Sequence, residues 1–141
     1  MAVMRPLFAL ASLTLLTGCI SFDTEVTIGG CAKGLTSTTT AELIFGRNIG
    51  DTSGVSEADW QAFLATEITL RFPEGLTVVD AAGQWRSPSG AVVQEASKVL
   101  LLVLTNAPGE RAKLDAVRAA YKARFHQDAV LLIERPACVG F

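Results

Sequence analysis

A chain of 141 residues with fourteen acids, twelve bases and one histidine has a net charge of −2. With no basic excess to neutralise phosphates, nucleic acid is not an expected partner. No internal repeat or long low-complexity tract is present, and no G-x-S-x-G, H-E-x-x-H, Walker or dinucleotide-binding pattern occurs.

The amino terminus opens with a short stretch, Met1 to Arg5, that carries one positive charge. Leu7 to Leu16, "LFALASLTLL", is apolar or small throughout, and Thr17, Gly18 and Cys19 follow. A charged start, a short apolar core and small residues before a cut are the layout of a secretory signal. The run is about half of the ~20 residues a spanning helix needs. "LTGC", Leu16 to Cys19, resembles the lipobox of bacterial lipoproteins: Leu, a small residue, Gly or Ala, then Cys. The resemblance implies that residues 1–18 are a signal peptide, that Cys19 is acylated, and that several acyl chains make a stable membrane anchor. Ile20, where an inner-membrane retention signal would have Asp, points to the outer membrane and a periplasmic setting. Cleavage leaves 123 residues, enough for one domain, with eleven bases against fourteen acids and a net charge of −3.

With Cys19 lipidated, Cys31 and Cys138 remain. An even pair in an oxidising compartment reads as a disulfide. Two cysteines and the single His126 show none of the paired zinc-ligand spacings, so neither a metal site nor a cofactor is expected. Such a bridge closes a loop of about 100 residues and contributes at most about 4–5 kcal/mol.

Residues 19–40 are rich in Thr, Ser and Gly and read as a lipidated tether, with Cys31 marking where it joins a domain of residues 41–141. "AELIFGRNI", Ala41 to Ile49, predicts a first strand, and "GDTSG" a turn. Ser56 opens a helix: Ser56 and Asp59 fit a capping box, and Val55 can staple onto Trp60. Trp60, Phe63, Leu64 and Ile68 share a face, which marks Trp60 as core. The helix must stop near Arg71, because Pro73 pushes Phe72 out of the α region. Gly75 to Trp85 predicts a second strand with a bend at Gly83, Ser87 to Gly90 a hairpin turn, and Ala91 to Glu95 a short returning strand. Lys98 to Thr105 predicts a third main strand, and Glu110 to Phe125 a helix with Leu114, Val117, Tyr121 and Phe125 on its inner face. Ala129 to Arg135 predicts a last strand ended by Pro136.

The order β-α-β, a small β insertion, then β-α-β is similar to the ferredoxin-like split βαβ motif, an α+β fold with two helices on one face of an antiparallel sheet. A sheet with one wet face should alternate strictly. Val99 to Leu104 and Ala129 to Ile133 are apolar on both faces, so something must cover the second one. A homodimer is the economical candidate; the tether or the inserted hairpin could serve within one chain. First and last strands as antiparallel neighbours would also bring Cys31 to Cys138.

"ELIFG" (Glu42 to Gly46), "VSEADWQAFLATEIT" (Val55 to Thr69), "RFPEGLTVVDAAGQW" (Arg71 to Trp85), "EASKVL" (Glu95 to Leu100) and "PAC" (Pro136 to Cys138) resemble a family of small bacterial lipoproteins known only as a domain of unknown function. The resemblance implies a fold and an envelope setting and no activity. His126 departs from it slightly, standing where Gly would be the usual helix terminator.

Trp85, with Gln84 and Arg86 beside a Gly-rich bend, is either the aromatic wall of a pocket or a cap on the core edge. His126 has the side chain whose ordinary pKa lies near neutrality, but at a helix carboxyl end it answers terminal carbonyls. Glu42 and Lys98 are expected near the starts of neighbouring strands, and Glu95 and Arg86 across the hairpin. Trp85, Arg47, Arg71 and Glu95 are the candidate ligand-binding residues. Two functions follow: an envelope binding module for a protein or small molecule, or a small-ligand or enzymatic domain of the dimeric α+β-barrel kind.

Overall fold

The computed structural model describes residues 30–49, 52–87 and 89–141. Residues 1–18, read from sequence as a signal peptide, Cys19 and the first half of the expected tether, to residue 29, lie outside the described residues. In chain order the elements are β1 (Thr36–Gly46), β2 (Asn48–Ile49), β3 (Thr52–Ser53), α1 (Glu57–Phe63), β4 (Thr77–Arg86), β5 (Val92–Val103), α2 (Glu110–Phe125) and β6 (Leu131–Val139). β4, β5, β1 and β6 form one sheet in that order, every pair antiparallel, and β2 and β3 form a separate two-stranded ladder. This is the ferredoxin-like arrangement.

Alternation on β1 sets the two faces. Ala41, Leu43 and Phe45 are fully buried and share one core with Leu100 and Leu102 of β5, Trp60 and Phe63 of α1, and Leu114, Val117, Tyr121 and Phe125 of α2. The rings of Phe45, Phe63 and Phe125 lie 4.8, 5.0 and 4.8 Å from that of Tyr121, distances at which edge-to-face contacts add to burial. The indole N–H of Trp60 has no partner among the described residues.

α1 begins at the expected capping box, with Asp59 N–H donating to Ser56 Oγ and Ser56 N–H to Asp59 Oδ2. Val55 and Trp60 are both fully buried there. The helix then loosens into a π-helical turn, Leu64–Ile68, with Thr69 N–H donating to Leu64 O, before Pro73. α2 spans the predicted residues and ends with His126 in the left-handed region (φ 52°), its backbone N–H donating to Lys122 O.

Four boundaries differ from expectation. The predicted first strand ends at Gly46 and not at Ile49, since Asn48–Ile49 leaves the main sheet to pair with Thr52–Ser53 of the predicted turn. β1 starts at Thr36, because Thr36 to Thr40, composition-rich in tether residues, are β-branched or small and pair with β6. β6 runs through Pro136 to Val139; it is an edge strand, where a missing N–H costs no ladder bond. The hairpin is no insertion: β4 and β5 pair continuously from Thr77–Leu101 to Arg86–Val92, so the turn residues lie at the tip of two long strands and cannot fold over the second face. Cys31 and Cys138 form a disulfide with Cα atoms 5.5 Å apart, beside the Ser37–Cys138 register pair that joins β1 to β6.

Candidate functional site

The face of the sheet turned away from the helices is built by the other set of alternating residues. Val79 on β4, Val99 on β5, Ile44 on β1 and Leu131 on β6 stand opposite one another as a single row across all four strands. Val79 and Leu131, on the edge strands, are 52% and 54% exposed. The next row is Thr77, Leu101, Glu42 and Ile133. Arg135 Nη1 meets Glu42 Oε1 at 2.6 Å, so the one carboxylate in the middle of this face is neutralised by its neighbour on β6.

Two hollows lie along the face. One, about 540 Å³, is at the end where β1 begins. Its apolar walls are Leu76, Leu101, Val103, Leu104, Val139 and Phe141, and its polar lining comes from Thr36, Ser37, Thr38, Thr77, Thr105, Asn106 and Glu74. Thr38 is buried, its hydroxyl donating to Leu104 O, and Asn106 Nδ2 donates to Ser37 O. An apolar groove with a few fixed polar groups is the usual character of a ligand site. The other hollow, about 570 Å³, lies over the hairpin strands and is lined by Ala82, Gly83, Gln84, Gln94, Glu95 and Ala96.

The candidate residues disperse. Glu95 lines the hairpin hollow, and its carboxylate lies over Gly46, where an added Cβ would come within 2.6 Å of Oε2. Trp85 stands opposite Val93 near the hairpin tip, 43% exposed, and lines neither hollow. Arg47 donates through Nε to Val55 O and lies 3.4 Å from Glu57. Arg71 turns back on its own helix, donating to Glu67 O and Oε2. The disulfide pair lies at the groove end, and Cys19 is outside the described residues.

Neither Glu42 and Lys98 nor Glu95 and Arg86 meet as an ion pair. Glu42 and Lys98 lie on opposite faces, since Lys98 stands opposite the core residue Phe45 while Glu42 faces outward with Arg135. Arg86 donates to Gly90 O instead of meeting Glu95, which stands opposite Gly83 on the other face of the hairpin. Lys98 instead reaches Asp80 at 2.5 Å and Glu57 at 2.8 Å, with its own side chain almost fully buried. Burial works to lower its pKa, but hydrogen bonds to Asp80 and Glu57 outweigh it and hold the ammonium above its ordinary value. The same hydrogen bond from Lys98 holds Glu57 below the usual carboxylate range. Burial pushes the Tyr121 phenol well up, and its hydroxyl donates to Gly46 O at 2.8 Å.

The groove residues were missed from sequence. Thr36, Ser37 and Thr38 were hidden in a stretch that composition assigned to the tether; the β-branching of the threonines was the available signal. Phe141, beyond the last predicted strand, gave none.

A family model described as "Protein of unknown function (DUF3574)" matches residues 40–141. No curated protein matches the chain. Among solved structures, a phage SAM lyase in complex with S-methyl-5'-thioadenosine is similar, with a TM-score of 0.58 and 16% identity over 81% of this chain and 95% of that one. The phage SAM lyase in its apo state is similar with a TM-score of 0.55 and 15% identity over 74% of this chain and 90% of that one. At this identity the likeness is one of fold.

Proposed function

This chain belongs to the DUF3574 family, and we propose that it is a lipid-anchored binding module of the bacterial envelope that takes its ligand on the helix-free face of the sheet. The observation that carries the reading is the groove of about 540 Å³, apolar at its walls and edged with hydroxyls, one amide and the acidic Glu74. The envelope setting is supported by the leader, by "LTGC" and by a disulfide that an oxidising compartment would keep. Ile20 supports placement at the outer membrane, facing the periplasm.

Two measurements test it. Cys19→Ser should abolish incorporation of labelled palmitate in the producing cell; undiminished labelling removes the anchor from the reading. The full chain, extracted in detergent, should retain a small molecule in native mass spectrometry, and Val103→Trp, which fills the groove, should lose it. A bare protein in both forms would remove the groove.

A second reading is a small-ligand or enzymatic domain, favoured by the fold shared with a lyase whose structure holds S-methyl-5'-thioadenosine. Calorimetric binding of that nucleoside to the full chain, abolished by Val103→Trp, would favour it over the first.

A further inference from the structure

We infer that a second copy of this chain seats on the helix-free face, sheet against sheet. The face carries an apolar row, Val79, Val99, Ile44 and Leu131, that crosses every strand, with Leu101 and Ile133 in the row beside it. Val79 and Leu131 at its two margins are each about half exposed. Nothing described in the chain covers them: both helices pack on the opposite face, and the hairpin extends the sheet in its own plane.

Charge and area select the occupant. In the middle of the face Glu42 is paired with Arg135 on the adjacent strand, and at the hairpin end Glu95 accepts a hydrogen bond from Asn48 N–H. The middle of the face therefore presents no unbalanced charge, so two copies meet there without repulsion, while Glu95, in no ion pair among the described residues, carries its charge at the hairpin end. Four strands about 4.8 Å apart and roughly 30 Å long offer roughly 600 Å² per copy. Two copies together bury roughly 1,200 Å², the lower bound for a specific, stable interface. The inference does not depend on the groove being a ligand site.

The test is photo-crosslinking in the producing cell, using the full chain expressed as two differently tagged copies. A benzophenone amino acid replaces Val79 or Leu131 on the face, or Leu70, which is 74% exposed, as the control on the helical side. Positions 79 and 131 should each give a product of twice the monomer mass carrying both tags, and position 70 should not. Leu131→Lys, combined with the probe at 79, puts an ammonium into a dry contact and should cut the product by about ten-fold or more. Because both probe sites are half exposed and on edge strands, the fold tolerates them, and the intact Cys31–Cys138 bridge reports that it has. A product of any other mass would assign the face to a different protein. A product within one chain would assign it to the segment before Gly30, and no product would leave it bare. Each of these overturns the inference, as does equal crosslinking from position 70.

Discussion

Lys98 shows how little a charged residue's role follows from its neighbours in sequence. Its ammonium is buried while its partners reach water: the Glu57 and Asp80 side chains are 54% and 80% exposed. Removing the lysine releases two carboxylates to solvent, whereas removing the carboxylates strands a buried cation. Lys98→Met should therefore cost no more than about 1 kcal/mol. The double variant Glu57→Ala, Asp80→Ala should be the less stable of the two in urea unfolding. Equal midpoints would mean that packing of the lysine stem, and not its charge, decides the outcome. This cluster was illegible in the sequence because Lys98 opened a run read as an ordinary strand start. Its partners come from a helix N-terminus and a strand that only the tertiary fold brings together. Arg47, Arg71, Glu95 and Trp85 failed to converge for the same reason: Trp85 and Glu95 sit on β4 and β5, Arg47 and Arg71 on the links after β1 and after the π-helical turn, and only the tertiary fold sets where such separate segments lie.

At the scale of elements, helices were the most legible. Leu114, Val117, Tyr121 and Phe125 recur at a period that only one structure satisfies, and all four are buried. Strand ends were less so, since a proline ends a central strand but not an edge one. The start of α2 holds a device that no pattern disclosed. Its N-cap, Gly109, has no side chain to cap with, so Glu110 accepts from Thr105 N–H, Thr105 Oγ and Ala107 N–H at 2.9, 2.9 and 3.1 Å. Burial raises the pKa of this carboxyl, but the hydrogen bonds outweigh it and hold it below the ordinary value. A depressed folded-state pKa gives stability that is present above the unfolded value and lost as pH falls through the folded one. Glu110→Gln should cost about 1–2 kcal/mol at neutral pH. The gap to the parent should close as the solution is acidified below the ordinary carboxylate range, measured by urea unfolding at a series of pH values. A gap constant across that range would show that the ionised form contributes nothing.

For the molecule as a whole, the α+β class and strand neighbours were legible because two β-α-β passes allow few topologies. The second face was legible only as a question: apolar on both sides, with nothing in the sequence to say what meets it. The bridge between Cys31 and Cys138 closes 107 residues of chain. Its reduction should lower stability by up to about 4–5 kcal/mol, and both thiols should resist alkylation in the native protein until reductant is added. Ready labelling without reductant would contradict the bridge. The same bridge has a mechanical meaning if Cys19 is embedded in a bilayer, as proposed. The domain would then hang from Cys31, not from Thr36 where pairing with β6 begins. Twelve residue steps from Cys19 reach at most about 40 Å, against roughly 60 Å if the bridge is open and Thr36 becomes the first fixed point. The groove lies at this suspended end and the hairpin tip at the other. An oxidised chain so anchored would keep its groove end on a short leash, and reduction would let the whole domain swing out by about half that distance again.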